Sequence, residues 1–175
     1  KEGDIVNVDV TAIKDGWHGD TSRMYYIGDV SIKAKKLVNK TYEAMMKGID
    51  VIKADTHLGD IGSAIQQCVE AEGFSVVRDF CGHGIGQTFH KEPNILHYGS
   101  KGKGIKLTEG MIFTVEPMIN SGNYETKTLN DGWTAVTKDK SLSAQFEHTI
   151  GITKEGYEIF TLSKKGLNFP PYKYD

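Results

Sequence analysis

The sequence has little that would tie it to a membrane, an oxidising compartment or a polyanion. No apolar run approaches the ~18 residues that span a bilayer, and no signal peptide is visible. There are only two cysteines, Cys68 and Cys81. They read as reduced thiols of a cytosolic protein rather than as a disulfide framework. Lys and Arg number 21 against 23 Asp and Glu, for a net charge of −2, and both signs are spread along the chain. Without a basic face, a nucleic-acid partner has no electrostatic support. Internal repeats, low-complexity stretches and linkers are also lacking. The 175 residues are therefore expected to form one domain, long enough for a full hydrophobic core. The chain enters a strand pattern directly after Lys1-Glu2-Gly3-Asp4, an abrupt start. We therefore expect the domain to be N-terminally incomplete, with native residues preceding Lys1.

What is present reads as a hairpin, two helices and a further set of strands. Residues 4–12 alternate, with Val6, Val8 and Val10 on one face and Asn7, Asp9 and Thr11 on the other. Asp15-Gly16 is a strong hairpin signal, so residues 17–27 should return as a second strand. Ser31 is a natural N-cap for a helix over 31–53. A second helix is expected from about His57 to Glu72, stopped by Gly73. A strand at 75–80, a loop at 90–110 and strands at 111–119, 133–138 and 143–153 complete the reading. The fold class is α+β with a largely antiparallel sheet.

A two-residue turn at Asp15-Gly16 sets the register. Lys14 pairs with Trp17, Asp9 faces Ser22 and Thr11 faces Asp20. Asp9 and Asp20 are then diagonal neighbours on one face, about 7–8 Å apart. Two carboxylates so placed repel unless a cation neutralises them. The spacing permits a metal site without proving one, and two solvated positions remain the alternative. The valines opposite need a core, which leaves the acidic face polar and wet.

His83 sits in Gly82-His83-Gly84-Ile85-Gly86, where glycines allow close approach of the backbone. The spacing is not that of a dinucleotide-binding loop, and no βαβ unit surrounds it. Cys81 beside His83 suggests a thiol nucleophile, a reading we disfavour. His18, His57, His97 and His148 read as structural. Glu116 and Glu147 each interrupt an apolar strand, in Phe113-Thr114-Val115-Glu116-Pro117 and Gln145-Phe146-Glu147-His148-Thr149. A buried Glu needs a partner, and Pro117 cannot donate to a sheet ladder. Four carboxylates balance the charge of two divalent ions, with a neutral imidazole as fifth ligand. An oxygen-rich set of this kind suits Mn, Fe, Co or Zn.

These residues resemble the pita-bread metallohydrolases, and the match is close to the type I methionine aminopeptidases. It runs through Asn7-Val8-Asp9-Val10, Gly19-Asp20-Thr21-Ser22, Gly82–Gly86, Phe89-His90, Val115-Glu116-Pro117-Met118 and Gln145–Thr149, in order, over nearly the whole chain. The resemblance implies a curved, largely antiparallel sheet covered by helices, in a single metallopeptidase domain over 1–175. It implies two divalent metal ions (Co, Mn, Fe or Zn), with Asp9 on one, His83 and Glu116 on the other, and Asp20 and Glu147 bridging both. His90 would contact the scissile amide and Glu116 would shuttle a proton. Phe89 and Trp133 would line the pocket for a Met side chain, ordinary core aromatics being the alternative.

The implied activity is removal of the initiator Met from nascent chains by a cytoplasmic, monomeric enzyme, with the ribosome as a partner and neither nucleic acid nor membrane. The 56 residues between His90 and Glu147 carry little helical pattern, unlike the type II enzymes with their inserted helices. The alternatives are an Xaa-Pro aminopeptidase or prolidase on the same ligands, or a non-catalytic peptide-binding module, which would be expected to have lost ligands. The family carries a region before the point matching Lys1 that adds an active-site His and pocket wall. The chain alone is therefore expected to be impaired: turnover of a Met-Ala peptide should be lower than for the intact protein, and equal rates would refute this.

Overall fold

A computed structural model describes residues 1–172. Two strands, β1 (Ile5–Lys14) and β2 (Trp17–Tyr26), form a hairpin. Its register pairs Lys14 with Trp17, Asp9 with Ser22 and Thr11 with Asp20, as the turn chemistry dictates. Asp15 and Gly16 take positive φ of 51° and 81°, which lets a two-residue loop follow the twist of the strands.

Helix α1 (Ile32–Asp50) begins where Ser31 accepts the Ala34 N–H at 3.2 Å. Helix α2 (Leu58–Glu70) is opened by His57, whose backbone N–H donates to Asp60 Oδ2 at 2.8 Å. Both helices bury one stripe. Leu37, Val38, Ala44, Met45 and Ile49 of α1 meet Ile61, Ile65 and Val69 of α2 in the core.

The remaining strands are short. They are β3 (Ser75–Val76), β4 (Gly82–Gly84), β5 (Lys91–Ile95), β6 (Ile112–Val115), β7 (Met118–Asn120), β8 (Thr126–Thr128), β9 (Ala135–Thr137), β10 (Ser143–Gln145), β11 (His148–Ile152) and β12 (Tyr157–Ile159). A five-stranded sheet has the order β12-β11-β6-β4-β5, a three-stranded sheet the order β10-β7-β3, and β8 and β9 form a separate ribbon. Every pairing is antiparallel. The α+β expectation holds, with the helices covering one side of the curved sheets.

Four expectations change. The strand expected at 111–119 is two, broken at Glu116-Pro117, and that expected at 143–153 breaks at Phe146-Glu147. Glu116 and Glu147 thus each sit in a break where one sheet hands over to the other. The loop expected over 90–110 contains β5, because Lys91–Ile95 supplies the outer partner that β4 needs. The strand expected at 75–80 shortens to two residues.

The valine face of β1 is also corrected. Val6, Val8 and Val10 are 38, 45 and 54% exposed. The inward face is the polar one: Asp20, Ser22 and Met24 of β2 are buried beside Asn7, Asp9 and Thr11. Alternation identified two faces, but burial chose the one that docks on β11.

Phe146 anchors that region of the core. It is 1% exposed, with ring centroids 5.2 Å from Tyr42 and 6.0 Å from Phe169. Phe146→Ala should destabilise by about 3–5 kcal/mol, read as a lowered midpoint in urea unfolding.

Candidate metal centre

The centre forms where the hairpin meets the five-stranded sheet. Ser22 and Glu147 exchange two backbone hydrogen bonds, of 3.4 and 3.2 Å, across the joint. Two residues along each strand, the Thr149 hydroxyl accepts the Asp20 N–H at 2.9 Å and donates to the Asp20 carbonyl at 2.8 Å. Thr21 donates its hydroxyl to the Glu147 carbonyl at 2.9 Å. These bonds put Asp20 and Glu147, 127 positions apart in the chain, against each other.

From the opposite side comes His83 on β4. A Cβ on Gly82 would lie 2.4 Å from the Thr114 carbonyl oxygen, and one on Gly84 would lie 2.3 Å from that of Glu92. The glycines that flank His83 are thus required by the narrow slot between β6 and β5. His83 Nδ1 lies 3.1 Å from the Gly84 carbonyl oxygen. A proton on Nδ1 donates there and leaves Nε2 as a free electron pair. Nε2 stands 3.6 Å from Glu116 Oε1 and 3.9 Å from Asp20 Oδ2. Ligand atoms of Asp20, His83 and Glu147 all lie within 4.8 Å of one another. The carboxyl of Asp9 faces those of Asp20 and Glu147. All five residues expected to share a metal site are therefore brought together.

The donor set fits divalent cations. Glu147 is 1% exposed, yet neither of its carboxyl oxygens has a hydrogen-bond donor among the described residues. Buried carboxylates without donors are costly unless a cation meets them. The carboxyls show that cost. Burial, and then the charges of Glu116, Asp20 and Asp9, push the Glu147 pKa far above the usual carboxyl range. Burial likewise raises Glu116, against the Thr114 hydrogen bond that lowers it, with Asp20 and Asp9 adding to the rise. Asp9 is raised by burial and then by Asp20. Burial lowers His83, which favours the neutral ligand form.

His90 and Phe89 stand at the mouth. The His83 and His90 rings are 4.3 Å apart, and Phe89 lies between His18 at 5.5 Å and His83 at 5.6 Å. His90 is exposed and Phe89 half-buried. Trp133 follows the Asn130–Gly132 turn and is 89% exposed, so it is not an ordinary core aromatic.

Sequence reasoning missed the residues that hold these ligands in place. Thr11 donates to Asp20 Oδ1 at 2.9 Å. Thr114 donates to Glu116 Oε1 at 2.7 Å while accepting the His83 N–H at 3.0 Å. Gln145 donates to the Glu116 carbonyl oxygen and to its Oε2, at 3.2 and 3.4 Å. Asn7 donates to the Gln145 carbonyl at 2.8 Å. The available signal was position: Thr11 lies opposite Asp20, and Thr114 two residues before Glu116 on the same face.

Comparison with known proteins gives a consistent picture. Residues 1–154 match the profile of metallopeptidase family M24. The chain is 65% identical over 173 residues to methionine aminopeptidase of Rickettsia prowazekii (strain Madrid E), covering 98% of this chain and 67% of that protein. It is 55% identical over 164 residues to methionine aminopeptidase of Escherichia coli (strain K12), covering 94% and 62%. The crystal structure of the Rickettsia prowazekii methionine aminopeptidase superposes with a TM-score of 0.91 at 66% identity, over 93% of this chain and 66% of that one. Prolidase from Pyrococcus furiosus superposes with a TM-score of 0.72 at 22% identity, covering 94% and 43%, a likeness of fold alone. The pita-bread fold is thereby shown. The chain spans 62–67% of the length of these methionine aminopeptidases.

The raised carboxyls make a linkage prediction for metal-free protein. The folded state holds protons that the unfolded state has released, so stability is present below the unfolded carboxyl range of about 4 and falls as pH rises toward the elevated native values. Between about pH 7 and 8 the unfolded carboxyls are fully ionised, while the raised native ones still hold protons. With chelator present, the melting temperature should fall across that window. Glu147→Gln should flatten the fall while weakening divalent-metal binding. An unchanged slope in that variant would contradict the assignment.

Proposed function

The chain belongs to metallopeptidase family M24, and from that premise we propose that it is the metal-binding part of a methionyl aminopeptidase, a hydrolase that removes the N-terminal Met of polypeptides. The observation that carries this reading is the convergence of four carboxyls and one imidazole around the donorless oxygens of Glu147. Identity to the methionine aminopeptidases over nearly the whole chain supports the choice among reactions of the family.

In this proposal Asp9, Asp20, His83, Glu116 and Glu147 would hold two divalent ions, Asp9 serving one, His83 and Glu116 the other, and Asp20 and Glu147 both; Co, Mn, Fe and Zn all suit the set. Bound there, the ions supply a nucleophile at neutral pH and polarise the scissile carbonyl. The chain's own groups do the rest. His90, exposed at the rim and 4.3 Å from the His83 ring, is free to donate to the substrate amide. Glu116, its carboxyl raised toward neutrality, is suited to take up a proton and pass it to the leaving amine. Phe89 gives an apolar wall at the entrance, and Trp133 offers its exposed ring to the Met side chain. The proposal extends to a cytoplasmic, monomeric enzyme acting on nascent N-termini that begin with Met, near the ribosome. No helix among the described residues is long and apolar enough to cross a membrane.

A substrate panel tests the reading on the native-length protein loaded with cobalt. Met-Ala-Ser should be cleaved after Met, and Ala-Pro should survive; cleavage confined to bonds before Pro would make the protein an Xaa-Pro peptidase. His90→Ala should keep its metal while turnover drops by about 100- to 10,000-fold. Loss of metal in that variant would remove His90 from its proposed role.

A further inference from the structure

Glu116 sits where its strand runs out of partners. The ladder between β6 and β11 ends at Val115 opposite His148. The next residue, Pro117, has no N–H. The Glu116 N–H is instead accepted by His97 Nε2 at 3.0 Å. His97 lies two residues beyond β5 and is 2% exposed. The segment that carries it is held from behind: a Cβ on Gly62 of α2 would lie 2.4 Å from the Tyr98 carbonyl oxygen and 2.8 Å from that of Leu96. Arg78 covers the Tyr98 ring at 5.3 Å.

Each remaining polar group of Glu116 that has been described is also engaged, by Thr114 and Gln145. Those bonds orient the carboxyl relative to the backbone. They cannot fix the backbone itself at a strand end next to a proline. A buried N–H left without an acceptor is costly, and the chain would turn to recover one. A shift of that kind would carry the carboxyl away from His83, which it now meets at 3.6 Å.

We propose that His97 is a positioning residue: by accepting the Glu116 N–H it fixes the strand end from which Glu116 reaches the metal, and so sets the affinity of the His83–Glu116 site. This rests on the reading of Glu116 as a ligand. The imidazole is required as an acceptor with the reach of Nε2, and a Gln side chain offers a comparable reach through its Oε1. A Leu fills a similar volume with no acceptor.

The experiment is a cobalt titration of the native-length protein, followed by calorimetry and visible absorption. His97→Leu should weaken one of two cobalt sites by about 10- to 100-fold, leave the other within about threefold, and speed hydrogen exchange at the Glu116 amide. His97→Gln should restore both affinities to within about threefold of wild type. Folded His97→Leu with wild-type affinity at both sites overturns the proposal. So does folded His97→Gln with a loss as large as that of His97→Leu, which would mark a role in packing. Should His97→Leu fail to fold, His97→Gln decides alone: near-wild-type affinity supports the proposal and a tenfold loss at one site overturns it. Absence of cobalt binding by the wild-type protein would instead remove the metallopeptidase reading, and this inference with it.

Discussion

Crowding of like charge away from water is the constraint on which the rest of the structure depends. Four carboxyls, from Asp9, Asp20, Glu116 and Glu147, face one another with a single imidazole among them. Burial and the neighbouring negative charges together penalise the ionised forms of Asp9, Glu116 and Glu147. A chain would not fold this way for its own stability. The arrangement is affordable only if cations neutralise it, and the surrounding framework must hold it in place until they do.

The framework consists of short hydrogen bonds at strand breaks. Thr149 grips both backbone groups of Asp20, Thr114 joins Glu116 to His83, and Gln145 joins Glu116 to the hairpin through Asn7. All of these come from neutral side chains. Neutral donors can orient a carboxylate without competing with a cation for its charge, as a Lys or Arg would. The core beneath, with Phe113, Val115, Phe146 and Ile150 fully buried, keeps the two breaks at fixed separation.

The legible part of the fold was what local chemistry dictates. Asp15-Gly16 set the register of ten residue pairs, and the register put Asp9 and Asp20 on one face. Glu116 and Glu147 announced themselves as acids inside apolar strands. Other features depended on contacts distant in sequence. Val6, Val8 and Val10 alternate as a buried strand would, but alternation cannot say which face is covered. Lys91–Ile95 carries Pro93 and charged residues, and became a strand because β4 lacked a second partner. His97 looked like any lone histidine, and only its meeting with a backbone N–H 19 positions away gives it a task. Trp133, matched by resemblance alone, is 89% exposed, which its sequence neighbours did not announce.

The joint between Ser22 and Glu147 is two backbone bonds wide. Asp9 and Asp20 lie on the hairpin side of it, and His83, Glu116 and Glu147 on the sheet side. Any ion coordinated from both sides would rivet the two together, adding to the adhesion of the hairpin an increment that grows with ion concentration. Loosening the hairpin and starving the protein of metal would then be the same perturbation seen from two ends. A substitution far out on β1, touching no ligand, could present itself as a defect in metal uptake.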